Sequence, residues 1–423
     1  MKSYNYLILP LLFLSFFCQA ANTSDSFALN KNCPASFELI TTQDNQQVCH
    51  LVNLYQFYNS VQNQGVGGLQ TSLPKHRDNF TPEQIDLGRY LFFDPLLSKD
   101  GSLSCASCHQ PEQGFSDGLD RSIGITGKKV ARSAPSLWNV AFVDKLFWDG
   151  RAKTLEQQAQ GPLFNPLEMG NNPEHLLKSL TENSVYPRLF SQAYPTHKKI
   201  NLVNVYHALA AFQSTLISLN SRYDRYAQGY HQALSKKELA GLNIFRSFVA
   251  RCAECHQPPL FTNNQIAVIG SPDPKGMPFD IGAQKTYQDL GVPVEKARKL
   301  RGGFKVPTLR NITKTAPYMH SGRYSKLRDA VKFYNDGRGN AVPKNEKLLL
   351  HWHIWEPNLT DDELDLIVTF LGALTDESLL PQIPNSVPSG LAVIDKNHQE
   401  KVSLAKNTHT KNNKAVLVQQ SGE

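Results

Sequence analysis

The chain has 423 residues and a formal net charge of +7, from 44 Lys and Arg against 37 Asp and Glu. With 40% hydrophobic residues it has enough apolar material for folded cores, which excludes wholesale disorder. Only 19% of the residues are charged and no block of Lys and Arg stands out, so nucleic-acid binding is not expected. At about 100–200 residues per domain, the length predicts two to three domains.

The N-terminus has the features of an export signal. Lys2 precedes an apolar run over residues 6–17, and small residues surround Ala20. A basic start, a short apolar core and small residues at the cleavage point are typical of a secretory signal peptide, which we place at residues 1–20. The apolar run is short for a membrane span of about 20 residues. An uncleaved anchor and a lipoprotein attached at Cys18 are the alternatives.

Two of the seven cysteines, Cys33 and Cys49, follow the signal in a segment of little periodicity. Export to an oxidising compartment predicts a disulfide between them, with two free thiols as the alternative. The whole segment, residues 21–75, is predicted to be an extended N-terminal arm.

Two helices of the same design follow along the chain. A capping box at Thr81 predicts a helix that ends near Asp94, and a second capping box at Ser235 starts a similar helix. The two helices carry a glycine at the same step, Gly88 and Gly241. Each then leads into a Cys-x-x-Cys-His motif, so the chain contains an internal repeat of one small helical unit.

The repeated motif is an attachment site for c-type haem. Two thiols add to the two vinyl groups of one porphyrin, and the adjacent imidazole reaches the iron. A zinc site would need two cysteine pairs brought together, and a redox motif would not need histidine beside both pairs. Two covalently bound haems c are therefore predicted. The residues that would bind them are Cys105, Cys108 and His109 in the first motif and Cys252, Cys255 and His256 in the second.

The fold class predicted from this repeat is mainly α, with two cytochrome c-like haem domains packed together, long loops and little β structure. A third capping box at Thr360 starts the last amphipathic helix, which closes the second domain. The predicted divisions are a first haem domain at 76–230, a second at 231–380 and a disordered tail at 381–423.

The sixth iron ligands decide between electron transfer and chemistry at an open iron. No histidine occurs between His109 and His175, so the first haem is predicted to be open unless a distant loop supplies a ligand. For the second haem the nearby candidates are Met319, His320 and Tyr334. Spacing alone favours Met319.

The chain resembles the bacterial dihaem cytochrome c peroxidase family, and within it the branch that contains MauG. The resemblance runs from about residue 81 to 375. Besides the two haem motifs, the segments that carry it are Leu91–Pro95, Phe115–Gly118, Phe147–Arg151, Asn165–Met169, Val306–Asn311 and Thr315–Tyr318.

The resemblance implies roles for four residues around the first haem. In the family a tryptophan between the haems relays electrons or holes, and Trp148 occupies its position. A distal glutamate stands over the peroxide-reactive haem, which corresponds to Glu168. Gln158 and Pro162 match distal-pocket positions of the MauG branch.

Two departures from the classical peroxidases favour the MauG branch. Classical members place a histidine shortly after the first haem motif, whereas residues 123–127 contain none. Classical members also ligate the second haem with methionine, 19 residues after the threonine that corresponds to Thr315. That step leads to Tyr334, which resembles MauG and replaces the choice of Met319.

The family also holds a calcium ion between its domains, which here would use backbone oxygens of Thr315 and Pro317. The third protein ligand in the family is an asparagine, but this chain has Ser133 there. The resemblance thus implies a calcium site with one ligand altered.

Together these features predict a periplasmic peroxidase that reduces hydrogen peroxide at the first haem and passes oxidising equivalents to the second haem and an external donor. The partner is expected to be a small electron-donor protein or a protein substrate. The alternatives are MauG-like oxidative modification of a specific partner protein and a non-enzymatic electron-transfer cytochrome. His351 and His353 are expected to be surface or packing residues.

Overall fold

A computed structural model describes residues 27–61, 73–197, 199–271, 273, 277–337, 342 and 345–393. The predicted signal peptide lies outside the described residues. Within them, none of the helices is long and apolar enough to cross a membrane. The helices are α1 (Leu54–Phe57), α2 (Pro82–Phe93), α3 (Cys105–Cys108), α4 (Leu155–Phe164), α5 (Pro173–Glu182), α6 (Tyr186–Ala193), α7 (Leu202–Gln213), α8 (Arg222–Ala227), α9 (Lys236–Phe245), α10 (Cys252–Cys255), α11 (Ala283–Asp289), α12 (Val294–Ala297), α13 (Leu327–Asp336) and α14 (Asp361–Gly372).

The described β structure is limited to two antiparallel pairs. In the first, β1 (Phe37–Thr41) pairs with β2 (Gln47–Leu51); in the second, β3 (Ile266–Val268) pairs with β4 (Gly303–Lys305). The mainly helical fold with little sheet is therefore confirmed.

The first half of the repeat is built on the crossing of α2 and α7. α2 begins with the predicted capping box at Thr81. At the crossing, a Cβ added to Gly88 would lie 1.8 Å from the Ala208 carbonyl oxygen, so only glycine allows this approach. One turn later, Phe92 packs on Phe212 of α7 with ring centroids 5.0 Å apart.

The second half repeats this crossing with α9 and α14. Both helices begin with the predicted capping boxes, at Ser235 and Thr360. A Cβ on Gly241 would lie 2.0 Å from the Leu366 carbonyl oxygen. Four residues after that glycine, Phe245 packs on Phe370 of α14 at 5.2 Å. The internal repeat of the sequence is thus a repeated helix crossing.

The N-terminal arm lies against the first helical half and is held there by specific bonds. The structure joins Cys33 to Cys49 in a disulfide between the start of the arm and β2. The Cys49 N–H donates to the Phe80 carbonyl at 2.8 Å, and the Asn30 N–H donates to Asp86 Oδ2 at 3.0 Å. The arm thereby covers the beginning of α2.

The beginning of the predicted tail is packed rather than disordered, which corrects the boundary drawn at residue 381. Val387 is fully buried in the core of the first half. The Ser389 hydroxyl and N–H both donate to the Asp94 carboxylate, at 2.6 and 3.1 Å. The polar composition and the two prolines of this segment suggest disorder. The segment is nevertheless held in place, because one apolar side chain and one buried carboxylate anchor it. Residues 394–423 lie outside the described residues.

Candidate functional site

The first Cys-x-x-Cys-His motif opens on a large cavity. α3 carries Cys105 and Cys108, and His109 follows it with its Nδ1 donating to the Phe115 carbonyl at 2.8 Å. A carbonyl can only accept, so this bond assigns the proton to Nδ1 and leaves Nε2 free as a ligand atom. The motif lines a cavity of about 610 Å³.

The second motif has the same local geometry. α10 carries Cys252 and Cys255, and Nδ1 of His256 donates to the Phe261 carbonyl at 3.1 Å. Burial lowers the pKa of His256 to about 4, so its imidazole is neutral and able to bind a metal. The motif lines a second cavity of about 260 Å³.

The thiols of both motifs suit thioether attachment rather than a zinc site. None of the four forms a disulfide. Burial raises the pKa of Cys105 and of Cys252 to about 12, so both are neutral thiols. Among the described residues no cluster of three or more His, Cys, Asp or Glu is arranged to hold a metal ion. Two thiols and one free imidazole nitrogen at a cavity wall fit a haem in each half.

The predicted distal residues share the first cavity with the first motif. Gln158 and Pro162 lie on α4, and Glu168 lies on the loop that follows this helix; all three line the cavity. Gly161 allows α4 to approach the Phe147 ring closely, because a Cβ there would lie 2.7 Å from that ring. This contact contributes to the placement of the helix that carries Gln158 and Pro162.

Glu168 is held from its side chain and from its backbone. Asn165 Nδ2 donates to Glu168 Oε1 at 2.7 Å. Burial raises the pKa of the Glu168 carboxyl above its ordinary value, against the opposing effects of that hydrogen bond and of Arg151. The Glu168 carbonyl accepts from the Ile125 N–H at 2.8 Å.

Residues 123–127, the segment without histidine, contain the residue that donates to the Glu168 carbonyl. A Cβ on Gly124 would lie 1.7 Å from the Leu167 carbonyl oxygen. This glycine allows the segment to pack against the glutamate loop at backbone distance. This segment therefore contacts the loop of Glu168 directly through its backbone, which sequence reasoning did not anticipate.

Trp148 lies at the wall that the two cavities share and lines both of them. Its indole Nε1 donates to the Ser133 carbonyl at 2.9 Å, and its carbonyl accepts from the Lys305 N–H at 2.6 Å. The ring also contacts His320 edge to face, with centroids 6.5 Å apart. Both the side chain and the backbone of this tryptophan are fixed between the two halves.

The second cavity contains all three candidate ligands in its wall, Met319, His320 and Tyr334. His320 is engaged elsewhere, because its Nε2 lies 3.0 Å from Asp273 Oδ1 and its ring stacks on Phe304 at 3.9 Å. Within the described residues no hydrogen bond holds the Tyr334 hydroxyl, and burial raises its pKa well above the usual range. Its oxygen is therefore available to a ligand in the cavity.

The residues expected at calcium are at the same wall. Thr315 and Pro317 line the second cavity. The Ser133 hydroxyl donates to the Met319 carbonyl at 3.0 Å, so its hydrogen is committed to joining the two halves. Ser133 thus acts here as a donor to backbone rather than offering the amide oxygen that an asparagine would.

The first cavity is also lined from the other half of the chain, which sequence reasoning missed. Phe279 and Asp280, from the loop before α11, lie at its wall. Arg132 binds Asp280 through Nε at 2.6 Å and Asp149 through a terminal nitrogen at 2.7 Å. No local pattern signals such a link, because its partners are 148 residues apart.

His351 and His353 belong to an aromatic cluster beside the second motif. His353 pairs with Glu254 of α10 and lines the second cavity. Its ring packs on Trp352, and the Arg251 guanidinium lies 5.0 Å from the Trp352 ring. Trp352 is 62% exposed. The cluster therefore extends from the wall of the second cavity to the protein surface.

Two helical units, each with a haem-binding motif on a cavity and one tryptophan between them, define an oxidoreductase of the dihaem type. The chain belongs to the di-haem cytochrome c peroxidase family, in its MauG-like branch. The family model described as di-haem cytochrome c peroxidase matches residues 82–232. The family implies two haem cofactors, hydrogen peroxide as oxidant and a partner protein.

Both kinds of family member are among the relatives. The methylamine utilization protein MauG of Methylorubrum extorquens is 34% identical over 320 residues, which are 74% of this chain and 85% of that protein. The cytochrome c551 peroxidase of Nitrosomonas europaea is also 34% identical, over 73% of this chain and 87% of that protein. Overall sequence identity therefore does not distinguish the two activities, and the residues of the site have to be compared instead.

Solved structures show the same fold. A MauG-like protein associated with microbial copper homeostasis is 32% identical with a TM-score of 0.66, over 75% of this chain and 98% of that one. The diheme peroxidase BthA of Burkholderia thailandensis is 26% identical with a TM-score of 0.60, over 77% of this chain and 99% of that one.

Proposed function

We propose that this protein is an exported dihaem c-type peroxidase that reduces hydrogen peroxide at the first haem and draws electrons from an external protein through the second. The observation that carries the proposal is Trp148, which lines both cavities while Glu168 stands at the wall of the first. When bound, the haem irons supply the redox chemistry and the site for peroxide. The residues around them bind, orient and move protons.

Cys105, Cys108 and His109 would hold the first haem, which would supply the site where peroxide binds. Glu168 would act there as the proton carrier: its carboxylate takes a proton from the near oxygen of peroxide and returns it to the far oxygen, which makes that oxygen a better leaving group. The Asn165 hydrogen bond orients the carboxylate for both transfers. Burial in the cavity wall raises its pKa, which favours the carboxyl form that holds the proton between the two transfers.

Trp148 provides the path for electrons between the two haems. Its position at the shared wall, fixed by hydrogen bonds at Nε1 and at its carbonyl, keeps the separation of donor and acceptor constant. Cys252, Cys255 and His256 would hold the second haem, and the Tyr334 oxygen, at the wall of the same cavity, would be its second protein ligand. A phenolate stabilises highly oxidised iron better than a thioether, so this haem can share an oxidising equivalent.

Two further observations support the organisation of the enzyme. We propose two haem domains at 76–230 and 231–380 because each range contains one helix crossing and one motif. The disulfide between Cys33 and Cys49 fits an oxidising compartment such as the periplasm, where c-type haem is also attached. Calcium at Thr315 and Pro317 stays a prediction, and elemental analysis of the purified protein tests it.

The first test is the ferric spectrum of the holoprotein. We expect one high-spin and one low-spin haem, a change of the high-spin signal on addition of peroxide, and peroxide-dependent oxidation of reduced cytochrome c. Two low-spin haems that do not respond to peroxide would instead establish an electron-transfer cytochrome. Glu168→Gln is the matched variant, because it keeps the volume and removes only the proton-accepting carboxylate.

MauG-like oxidation of a specific partner protein is the second candidate, and Tyr334 favours it. Tyrosine at this position and the segment without histidine at 123–127 distinguish the chain from the classical peroxidases. Tyr334→Met separates the two functions. We expect it to retain turnover with cytochrome c and to lose the stored oxidising equivalent that modification of a protein side chain requires.

A further inference from the structure

Lys305 is a cation at the boundary of the two cavities that the chemistry above does not use. It is the last residue of β4, and it lines both cavities. Its backbone N–H donates to the Trp148 carbonyl at 2.6 Å. The side chain therefore starts from a fixed point beside the tryptophan that joins the haems.

Among the described residues, no carboxylate lies within ion-pair distance of the Lys305 ammonium. Burial, and to a smaller extent the neighbouring Lys145, lower its pKa to about 8, and no acid opposes these effects. A buried ammonium without a partner is unfavourable, so such groups are paired in most proteins. An anion bound at this site would therefore be stabilised by the positive charge of Lys305.

The alternation of side chains along β4 indicates which cavity receives the ammonium. Successive residues of a strand point to opposite faces. Phe304 and Val306, on either side of Lys305, both line the second cavity and do not line the first. Lys305 therefore points the other way, toward the first cavity.

We propose that Lys305 binds a propionate carboxylate of the first haem and that its charge raises the reduction potential of that haem. A porphyrin of this type carries two propionates, which are the anions that the two cavities would bring to this wall. A positive charge held near the iron favours the ferrous over the ferric form. Lys305 is thus a positioning residue for the peroxidase, and the inference rests on the proposed occupation of the first cavity by haem.

The test is the equilibrium reduction potential of each haem in the holoprotein, followed by spectroelectrochemistry without peroxide. We expect Lys305→Gln to change the ferric-to-ferrous ratio of the high-spin haem about tenfold toward ferric, a fall of about 59 mV for one electron. Lys305→Arg keeps the charge and should remain within about twofold of the wild type. Lys145→Gln is the control, because that lysine is a neighbouring cation already close to Asp144, at 3.5 Å.

Several results would overturn the proposal. These are a shift in Lys305→Gln no larger than in Lys145→Gln, a shift confined to the low-spin haem, or an equal fall in Lys305→Arg. The haem-to-protein ratio is measured for each variant. If Lys305→Gln loses the first haem while Lys305→Arg retains both the haem and its potential, the anchor is supported; if both lose it, the charge is not the cause. Two low-spin haems in the wild type would refute the peroxidase and leave the comparison of potentials valid.

Discussion

The strictest structural requirement of the fold lies at the helix crossings, and Gly241→Ala tests it. A Cβ at this position would lie 2.0 Å from the Leu366 carbonyl oxygen of α14, whereas real contacts of this kind are not shorter than about 3.0 Å. The obstacle is backbone rather than a flexible side chain, so α9 and α14 must separate by about 1 Å. That movement also loosens the packing of Phe245 on Phe370.

The expected cost follows from two opposing effects. Overpacking of this kind costs up to about 3 kcal/mol, and the rigid carbonyl places this site at the upper end. Alanine returns about 1 kcal/mol through its better helix propensity. We therefore expect Gly241→Ala to lower the free energy of unfolding by about 2 kcal/mol. Gly88→Ala, with its Cβ 1.8 Å from the Ala208 carbonyl oxygen, should do the same in the first half.

Gly372 in the same helix pair is the matched control. A Cβ there would meet no atom within 4 Å. Gly372→Ala should therefore be neutral or stabilise the protein by up to about 1 kcal/mol. Denaturant unfolding of the holoproteins, followed by far-ultraviolet circular dichroism, gives the midpoints of all variants. Wild-type stability in Gly241→Ala, or an equal loss in Gly372→Ala, would refute the reasoning.

The remaining predictions concern the reaction. In stopped-flow measurements, Glu168→Gln should slow the reaction with peroxide by about 10²- to 10⁴-fold. Because the raised pKa belongs to the base, the wild-type rate should rise as pH increases through that pKa, and the variant should lack this step. Gly124→Ala should push the Leu167 carbonyl away, displace the glutamate and slow the same reaction while leaving the potential of the second haem unchanged. Trp352→Ala removes a side chain that is 62% exposed beside the second cavity. It should lower kcat/KM for reduced cytochrome c at least several-fold without changing the rate of the reaction with peroxide. Val203→Ala, at another exposed side chain, should change neither quantity.

The sequence predicted the repeated parts of the molecule well because they depend on local signals. Capping boxes at Thr81, Ser235 and Thr360 placed the starts of three helices correctly, since a helix start is decided by a few adjacent residues. The glycine at the same step of the two repeat helices proved to be the contact point of each crossing. The two Cys-x-x-Cys-His motifs recognised by their spacing lie at the cavity walls, one motif at each cavity.

What the sequence did not reveal depends on contacts between distant segments. The loop of Asp280 reaches the first cavity through Arg132, and the segment around Val387 packs on the first half. Both contacts rely on a few residues in otherwise irregular chain, so neither periodicity nor composition marks them. Gly124 is a similar case, because a glycine is needed there only to make room for the backbone of Leu167, which is 43 positions away in the sequence.

The placement of Ser133 connects these distant contacts to function. Its carbonyl accepts from the Trp148 indole, and its hydroxyl donates to the Met319 carbonyl in the other half. The position that resembles a calcium ligand therefore joins Trp148 directly to the segment that lines the second cavity. These hydrogen bonds, the bond from the Lys305 N–H to the Trp148 carbonyl and the ion pair of Arg132 with Asp280 are among the contacts that join the two halves without an amide oxygen at this position. The relay geometry should accordingly depend less on calcium in this chain than in relatives that keep the asparagine.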